Sequence, residues 1–124
     1  MQKKGTDITW KIAVVDGTTP VVPSSLADYQ MKLFTFVNGN QRKYWLEFVK
    51  TPTSGQRSIY IDGNQLVIVV PRSFTTTAAD GDLNIEVRIT ETDTSGRYDS
   101  NLKVSDVQSS NSGSDYFTIC TLVS

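Results

Sequence analysis

Apolar and polar residues alternate without interruption in the stretch Leu83-Asn84-Ile85-Glu86-Val87-Arg88-Ile89. Because successive side chains of a β-strand point to opposite faces of the sheet, this alternation predicts a strand with one apolar face and one face in water. Sheets with one solvated face are typical of antiparallel β-proteins. The stretch therefore places the chain in the all-β class.

Seven further segments read as strands, because they alternate in the same way or are short apolar runs bounded by turn residues. They cover residues 8–14, 29–37, 43–49, 58–61, 65–70, 102–104 and 116–123. Asn38-Gly39-Asn40 and Asp62-Gly63-Asn64 are strong turn signals, since Asn and Gly tolerate positive φ. Pro71 ends a strand or confines it to an edge.

The remaining segments read as connections. Residues 24–28 form at most one helical turn, the Thr-rich residues 72–80 predict a polar connection, and residues 108–115 predict a flexible loop or bulged crossing. No helix is expected, because Ser and Thr make 28 of the 124 residues and there are only three Glu.

About eight strands separated by turns predict a single Ig-like antiparallel β-sandwich of about seven to nine strands. The length fits one domain spanning residues 1–124. A mobile N-terminal arm is expected at residues 1–5. The Cys and Trp spacing of antibody domains is absent, so "Ig-like" refers here to the topology class only.

Charge and composition remove several classes of function. The chain has 12 basic and 13 acidic residues, no His and one Cys. Without His, general bases and metal ligands of that type are excluded, and one Cys forms neither an internal disulfide nor a zinc knuckle. A net charge of −1 argues against binding nucleic acid through bulk electrostatics. No catalytic residue, metal or cofactor is expected.

Two predicted strands carry apolar side chains on both faces, and such strands are usually covered on both sides. In residues 29–37, Phe34 and Phe36 oppose the face of Tyr29 and Leu33. In a small sandwich, the second cover is either a loop or a partner subunit. The sequence alone leaves both alternatives open.

The second such strand is residues 43–49, where Tyr44, Leu46 and Phe48 alternate and Trp45 falls on the opposite face. Aromatic side chains are common anchors of protein interfaces. Where a partner covers the second face, the predicted contact residues are Trp45, Phe34 and Phe36.

Acidic residues offer two weaker hypotheses. Asp80-Gly81-Asp82 could bind Ca²⁺ through its carboxylates, although a turn leading into the next strand explains the string better. A pair of loop carboxylates such as Asp93 and Asp99 could support glycosidase chemistry, but solvated turn residues are the simpler interpretation.

Several strings resemble, in order, the Ig-like domains of tailed-phage structural proteins. These domains include the N-terminal domain of siphophage baseplate upper proteins and related domains of phages and prophages of Bacteroides-type bacteria. The strings are the opening strand at residues 4–12, the connector at 25–29, the hairpin at 61–70 and the strand at 81–86. Gly5-Thr6-Asp7 departs from the pattern by one inserted residue, and the chain stops at Ser124, where the baseplate proteins continue.

This resemblance implies a non-enzymatic virion structural protein, namely an adaptor module that docks onto a capsid, tail or baseplate. Its expected partners are other virion proteins and copies of itself, with no nucleic acid and no membrane. No signal peptide or transmembrane segment is predicted, so the expected location is the virion, after synthesis in the host cytoplasm. The alternative is a module that binds carbohydrate or a cell surface, and a small hydrolase is a third hypothesis.

Overall fold

The computed structural model of the chain describes residues 1–109 and 113–124. Its strands are, in chain order, β1 (Gln2–Lys3), β2 (Ile8–Ala13), β3 (Val15–Asp16), β4 (Thr19–Pro20), β5 (Asp28–Val37), β6 (Gln41–Val49), β7 (Arg57–Ser58), β8 (Tyr60–Asp62), β9 (Gln65–Val70), β10 (Gly81–Thr92), β11 (Leu102–Val107) and β12 (Phe117–Val123). Helix α1 spans Arg72–Thr77, and short 3₁₀ turns lie at Pro23–Ser25 and Asp99–Asn101.

Strand β10 is the centre of the larger sheet, whose order is β1-β12-β10-β5-β6-β7 with β11 also paired to β10. One edge of β10 pairs with β5, and the other pairs first with β12 and then with β11. The apolar residues of the predicted strand at 83–89 are all buried, as their alternation requires. The amphipathic strand expected from the sequence is therefore confirmed.

The smaller sheet has the order β2-β9-β8 and packs its apolar face onto the larger one. Ile8 and Ile12 of β2 meet Leu66, Ile68 and Val70 of β9 in the shared core, which the inward residues of β5 and β10 complete. The prediction of an all-β sandwich is thus confirmed. Two short pairings, β1 with β12 and β6 with β7, are parallel, so the larger sheet is mixed rather than purely antiparallel.

Both turns expected from Asn and Gly are present. Asn38 and Gly39 adopt positive φ between β5 and β6, and Gly63 does so between β8 and β9. In the second hairpin Asp62 pairs with Gln65, which leaves Gly63 and Asn64 as a two-residue loop. Pro71 ends β9, which is one of the two outcomes expected for it.

The prediction that residues 72–80 contain no helix is wrong. Thr hydroxyl groups form hydrogen bonds within α1, where Thr76 Oγ1 donates to the Arg72 carbonyl at 2.7 Å. The helix also begins with a distant cap: the Arg72 N–H donates to the Asp7 carboxylate at 2.7 Å. Phe74 packs into the core and holds the helix there. Within the described part of the chain, no helix is long and apolar enough to cross a membrane.

The segment expected to be a mobile arm is bound to the rest of the sandwich. Gln2 and Lys3 pair with the end of β12, and the Lys4 N–H donates to the Val123 carbonyl at 3.0 Å. The Gly5 N–H then donates to Thr75 Oγ1, a buried hydroxyl of α1. These contacts anchor the segment at its last four residues. The loop predicted at 108–115 includes residues 110–112, which lie outside the described residues.

Asp80 bonds to the residues that directly follow β1 and β12. Its carboxylate pairs with Lys4 Nζ at 2.7 Å and accepts a hydrogen bond from the Ser124 hydroxyl at 2.8 Å. The hydrogen bond from Lys4, followed by that from Ser124, lowers the pKa of Asp80 below its usual value. A carboxylate with a lowered pKa in the folded state stabilises the fold in its ionised form.

Replacing Asp80 with Asn is expected to accelerate amide exchange at Lys4 near neutral pH, because the ion pair that holds β1 is lost. The stabilisation in the wild type is complete above the ordinary carboxyl pKa and disappears as the pH falls through the lowered folded value. The exchange rates of wild type and variant should therefore converge in acid, as hydrogen exchange followed by NMR would measure. Asp62→Asn, which breaks the exposed pair with Lys11, is the control and should leave Lys4 unchanged. Equal exchange of Asp80→Asn and wild type at neutral pH would contradict this role.

Candidate functional site

A β-bulge in β6 decides which aromatic side chains reach the surface. Leu33 of β5 pairs with Leu46, but the next residue, Phe34, pairs with Tyr44, so Trp45 is an extra residue in β6. A bulge of this kind inserts one unpaired residue and reverses the alternation beyond it. The prediction that Tyr44 shares a face with Leu46 and Phe48 is therefore wrong.

Trp45 lies on the core side of the larger sheet, half-buried. Its ring packs against Phe74 of α1 with 5.7 Å between centroids, and its indole N–H donates to Thr35 Oγ1 at 2.7 Å. The Lys43 ammonium lies 3.9 Å from the centroid of the same ring. Trp45 is thus fixed by contacts within the chain, and it is separated by the sheet from Phe34 and Phe36.

Four aromatic rings gather on the outer face of the larger sheet, and we call them the aromatic cluster: Phe34, Phe36, Tyr44 and Tyr116. Each of the other three rings lies 5.3–5.6 Å from Phe34, measured between ring centroids. Phe34 is completely buried beneath them, whereas Phe36 is 38% exposed and Tyr44 is 50% exposed. As expected, Phe34 and Phe36 share the face opposite Leu33, but only Phe36 can be touched from outside.

Arg42 covers the aromatic cluster with its guanidinium. The guanidinium carbon lies 4.7 Å from the Phe34 ring centroid and 5.5 Å from that of Tyr116, within the range of cation–π attraction. The same guanidinium contacts the Glu86 carboxylate and donates to Asp115 at 3.2 Å. The rings and the charged groups therefore fix one another, and the outer surface of the cluster is held in a single arrangement.

A shallow, charged depression of about 220 Å³ adjoins the aromatic cluster. It is lined by side chains of both charges and one amide: Gln30, Lys32, Glu86, Arg88, Asp106 and Asp115. Arg88 and Asp106 form a two-bond ion pair across β10 and β11, and the hydrogen bond that Arg88 donates to Asp106 raises the pKa of Arg88. The surface beside the aromatic rings is thus polar and closely balanced in charge.

A second depression, of about 490 Å³, lies at the end of the sandwich around Trp45. Trp45 contributes aromatic surface to it, its polar groups include Lys43 and the hydroxyl groups of Thr35 and Thr77, and Phe36 borders it. Phe36 lines this depression and also belongs to the aromatic cluster. The two surfaces therefore meet at Phe36.

The carboxylates singled out in the sequence have partners within the chain. Asp80 binds Lys4 and Ser124, and Asp82 accepts a hydrogen bond from Thr121 Oγ1. The searched, described residues hold no group of three or more His, Cys, Asp or Glu placed to bind a metal. The Asp80-Gly81-Asp82 string thus leads into β10, and both carboxylates bond to residues distant in the sequence.

The hydrolase hypothesis requires two carboxyl groups on either side of a substrate, one of them able to donate a proton. Glu86, Asp106 and Asp115 line the depression on the outer face, where Asp106 pairs with Arg88. Glu86 and Asp115 both contact the guanidinium of Arg42. Arg42 thus occupies the space between them.

Cys120 is half-buried, and burial raises the pKa of its thiol, which describes a packing residue rather than a nucleophile.

Sequence reasoning missed three members of this surface: Arg42, Tyr44 and Tyr116. Tyr44 was assigned to the other face because nothing local marks the bulge at Trp45. Tyr116 reaches the cluster from a segment far along the chain, after the polar residues 108–115. The one sequence signal for this surface is that β5 carries two Phe residues on the face opposite its core residues. Two aromatic rings on that face need other side chains to cover them.

Phe34 and Phe36 are expected to differ in their effect on stability. Phe34→Ala removes a fully buried ring and should lower the free energy of unfolding by about 3 kcal/mol. Phe36→Ala removes a partly exposed ring and should cost about 1 kcal/mol or less. Urea unfolding followed by circular dichroism measures both values. Equal losses for the two variants would contradict the burial of Phe34 beneath the cluster.

No family model matches the chain, and no curated protein or solved structure gives a significant match. The features of the chain that bear on function are the aromatic cluster, the two depressions beside it and the resemblance carried by the sequence strings.

Proposed function

We propose that the chain is a non-enzymatic structural protein of a bacteriophage virion, a small β-sandwich module that docks onto other virion proteins or onto copies of itself. Docking uses the outer face of the larger sheet, through Phe36 and Tyr44. Arg42 and Tyr116 complete the contact surface, and Phe34 supports it from below. The expected location is accordingly the virion.

The aromatic cluster carries this proposal. Interfaces are enriched in Tyr, Phe and Arg, and their strongest contacts are aromatic or Arg anchors surrounded by a polar rim. Here Tyr44 is half exposed, Arg42 lies across the rings, and a charged depression adjoins them. Because Arg42 and the rings are already fixed by contacts within the chain, little side-chain freedom would be lost on docking.

Two further features support a role in a virion in particular. The order of sequence strings resembles Ig-like domains of tailed-phage structural proteins, and the net charge is close to zero. Subunits that pack closely with copies or partners avoid a large field of one sign. The absence of His from the sequence and the use of Glu86 and Asp115 in binding Arg42 agree with a structural rather than a catalytic role.

The docking role is tested by introducing Phe36→Ala with Tyr44→Ala into the genome that encodes the chain. Particles are then purified on a density gradient and the chain is quantified by mass spectrometry. We expect the wild-type chain to sediment with particles and the double variant to fall by about tenfold or more, because truncating central anchors typically costs over 1 kcal/mol each.

Tyr60→Ala is the matched control, since Tyr60 is an equally exposed tyrosine on the smaller sheet. It should leave incorporation unchanged. Circular dichroism of the purified variants confirms that each is folded. Absence of the wild-type chain from particles contradicts the virion assignment, and equal losses for Tyr60→Ala and the double variant contradict the assigned face.

Carbohydrate binding is the second candidate function, and the depression around Trp45 is the observation that favours it. An indole stands there beside hydroxyl, carboxylate and ammonium groups, which is the combination that sugar rings and their hydroxyls can contact. A glycan array probed with the wild-type chain and with Lys43→Ala tests this candidate. Binding by the wild type that changes in the variant supports it, and an array without hits contradicts it.

A further inference from the structure

Strand β11 is an edge of the larger sheet. Over residues 102–107 it pairs with β10 on one side, and no other strand of the described residues pairs with it. An edge strand presents unpaired backbone N–H and C=O groups to which another strand can hydrogen-bond. β11 contains no Pro, and it exposes Leu102 and Val104 on its outer face, while Lys103 is the one charged residue on its inner face.

An apolar cleft of about 480 Å³ lies under the inner face of β11. Ile89 of β10 and Val107 of β11 line it on the side of the larger sheet, and Ile12 and Val14 line it on the side of the smaller sheet. Phe117 borders it where β12 begins. The two sheets are therefore incompletely filled at the edge where β11 lies.

The register of β11 shows which side chains face this cleft. Ser105 pairs with Ile89 and Val107 pairs with Val87, both inward residues of β10, so Ser105 and Val107 face inward. Val104, which precedes Ser105, lies on the outer face and is 56% exposed. A strand added beside β11 would continue this alternation and direct every second side chain into the cleft.

We propose that the edge of β11 and this cleft bind an extended segment of a partner protein, which adds to the larger sheet as a strand. The segment inserts alternate apolar side chains between the sheets and carries basic residues at its ends. The basic residues are inferred from the charges around the cleft, where Asp16 and Glu91 outnumber the single Lys103. This contact is distinct from the aromatic cluster and does not depend on it.

A second copy of β11 is a poor occupant of the same place. Antiparallel pairing of β11 with its own copy would bring the partner's inward residues, Lys103, Ser105 and Val107, beside the cleft. Only one of these is apolar, so the cleft would receive a polar and charged strand. The chemistry of the cleft therefore favours a foreign segment with apolar residues at every second position.

The probe is a capped, fluorescently labelled peptide, Lys-Val-Thr-Val-Thr-Val-Lys, titrated into the full chain and followed by anisotropy and by NMR. We expect saturable binding below about 1 mM, with amide protection confined to residues 102–107. A peptide of the same composition with the alternation scrambled should bind at least about tenfold more weakly. Absence of binding by the alternating peptide, or equal binding of the two peptides, overturns the proposal.

Ser105→Lys and Val104→Lys form a matched pair, because each adds one positive charge to β11 and they differ in the face that receives it. We expect Ser105→Lys to weaken binding of the alternating peptide by at least about tenfold and Val104→Lys to change it by less than about threefold. Equal effects overturn the proposed entry into the cleft.

Lys103→Glu removes the one basic group of the cleft and gives a readout that does not depend on a loss of binding. It should tighten binding of the cationic peptide by a few fold at low salt, with a smaller gain at high salt. No change at low salt overturns the charge assignment. Sedimentation equilibrium without peptide tests the other occupant: a dimer that protects the β11 amides overturns the proposal in favour of a second copy.

Discussion

Strand β10 has to be hydrogen-bonded along both edges and covered on its apolar face at the same time, and the rest of the sandwich follows from that requirement. It is twelve residues long, whereas its neighbours β11 and β12 are six and seven. Along one edge β5 supplies the hydrogen-bond partners of β10, but along the other edge two strands, β12 and then β11, are needed. Buried backbone groups without partners are costly, so the chain must leave this edge after β11 and return to it as β12.

The point where β11 gives way to β12 also places the charged part of the candidate site. The pairing of β10 passes from Phe117 at Ile85 to Val107 at Val87, so Glu86 lies between the two partner strands. The connection that begins after Val107 ends with Asp115 and Tyr116, which reach Arg42 on β6 across the outer face. One topological requirement of β10 thus brings together groups that are distant in the sequence.

A structural feature could be predicted from the sequence where the residues that cause it are close neighbours in the chain. The alternation in residues 83–89 and the Asn and Gly turns act over a few residues, and they predicted β10 and two hairpins correctly. The bulge at Trp45 left no local mark, because its position is set by which residue of β6 faces Phe34. Helix α1 was not predicted because its N-terminus is capped by Asp7, which is distant in the sequence. The pairing of the N-terminal segment was not predicted because its partner is the last strand.

The same division explains where the three predicted contact residues lie. Period-2 reasoning placed Phe34 and Phe36 on the correct face, but it could not show that Arg42, Tyr44 and Tyr116 cover Phe34. Alternation alone places Trp45 on the face opposite Leu46, whereas the bulge turns its ring towards Phe74 on the core side. An error of one residue in the register of β6 therefore exchanges the faces of Tyr44 and Trp45, so that a surface residue is predicted in the core and a core-side residue on the surface.

The two proposed contacts would contribute to assembly in different ways. The aromatic cluster offers side chains already held in place, so it selects a partner by shape and by the few groups around Arg42. The edge of β11 offers mainly backbone groups, which give affinity with little selectivity until side chains enter the cleft. A module that used both would bind its second contact at a high effective concentration, so neither contact would need to be strong alone. That arrangement suits a small sandwich with nearly balanced charge, because close packing is then limited by the fit of the surfaces and not by repulsion.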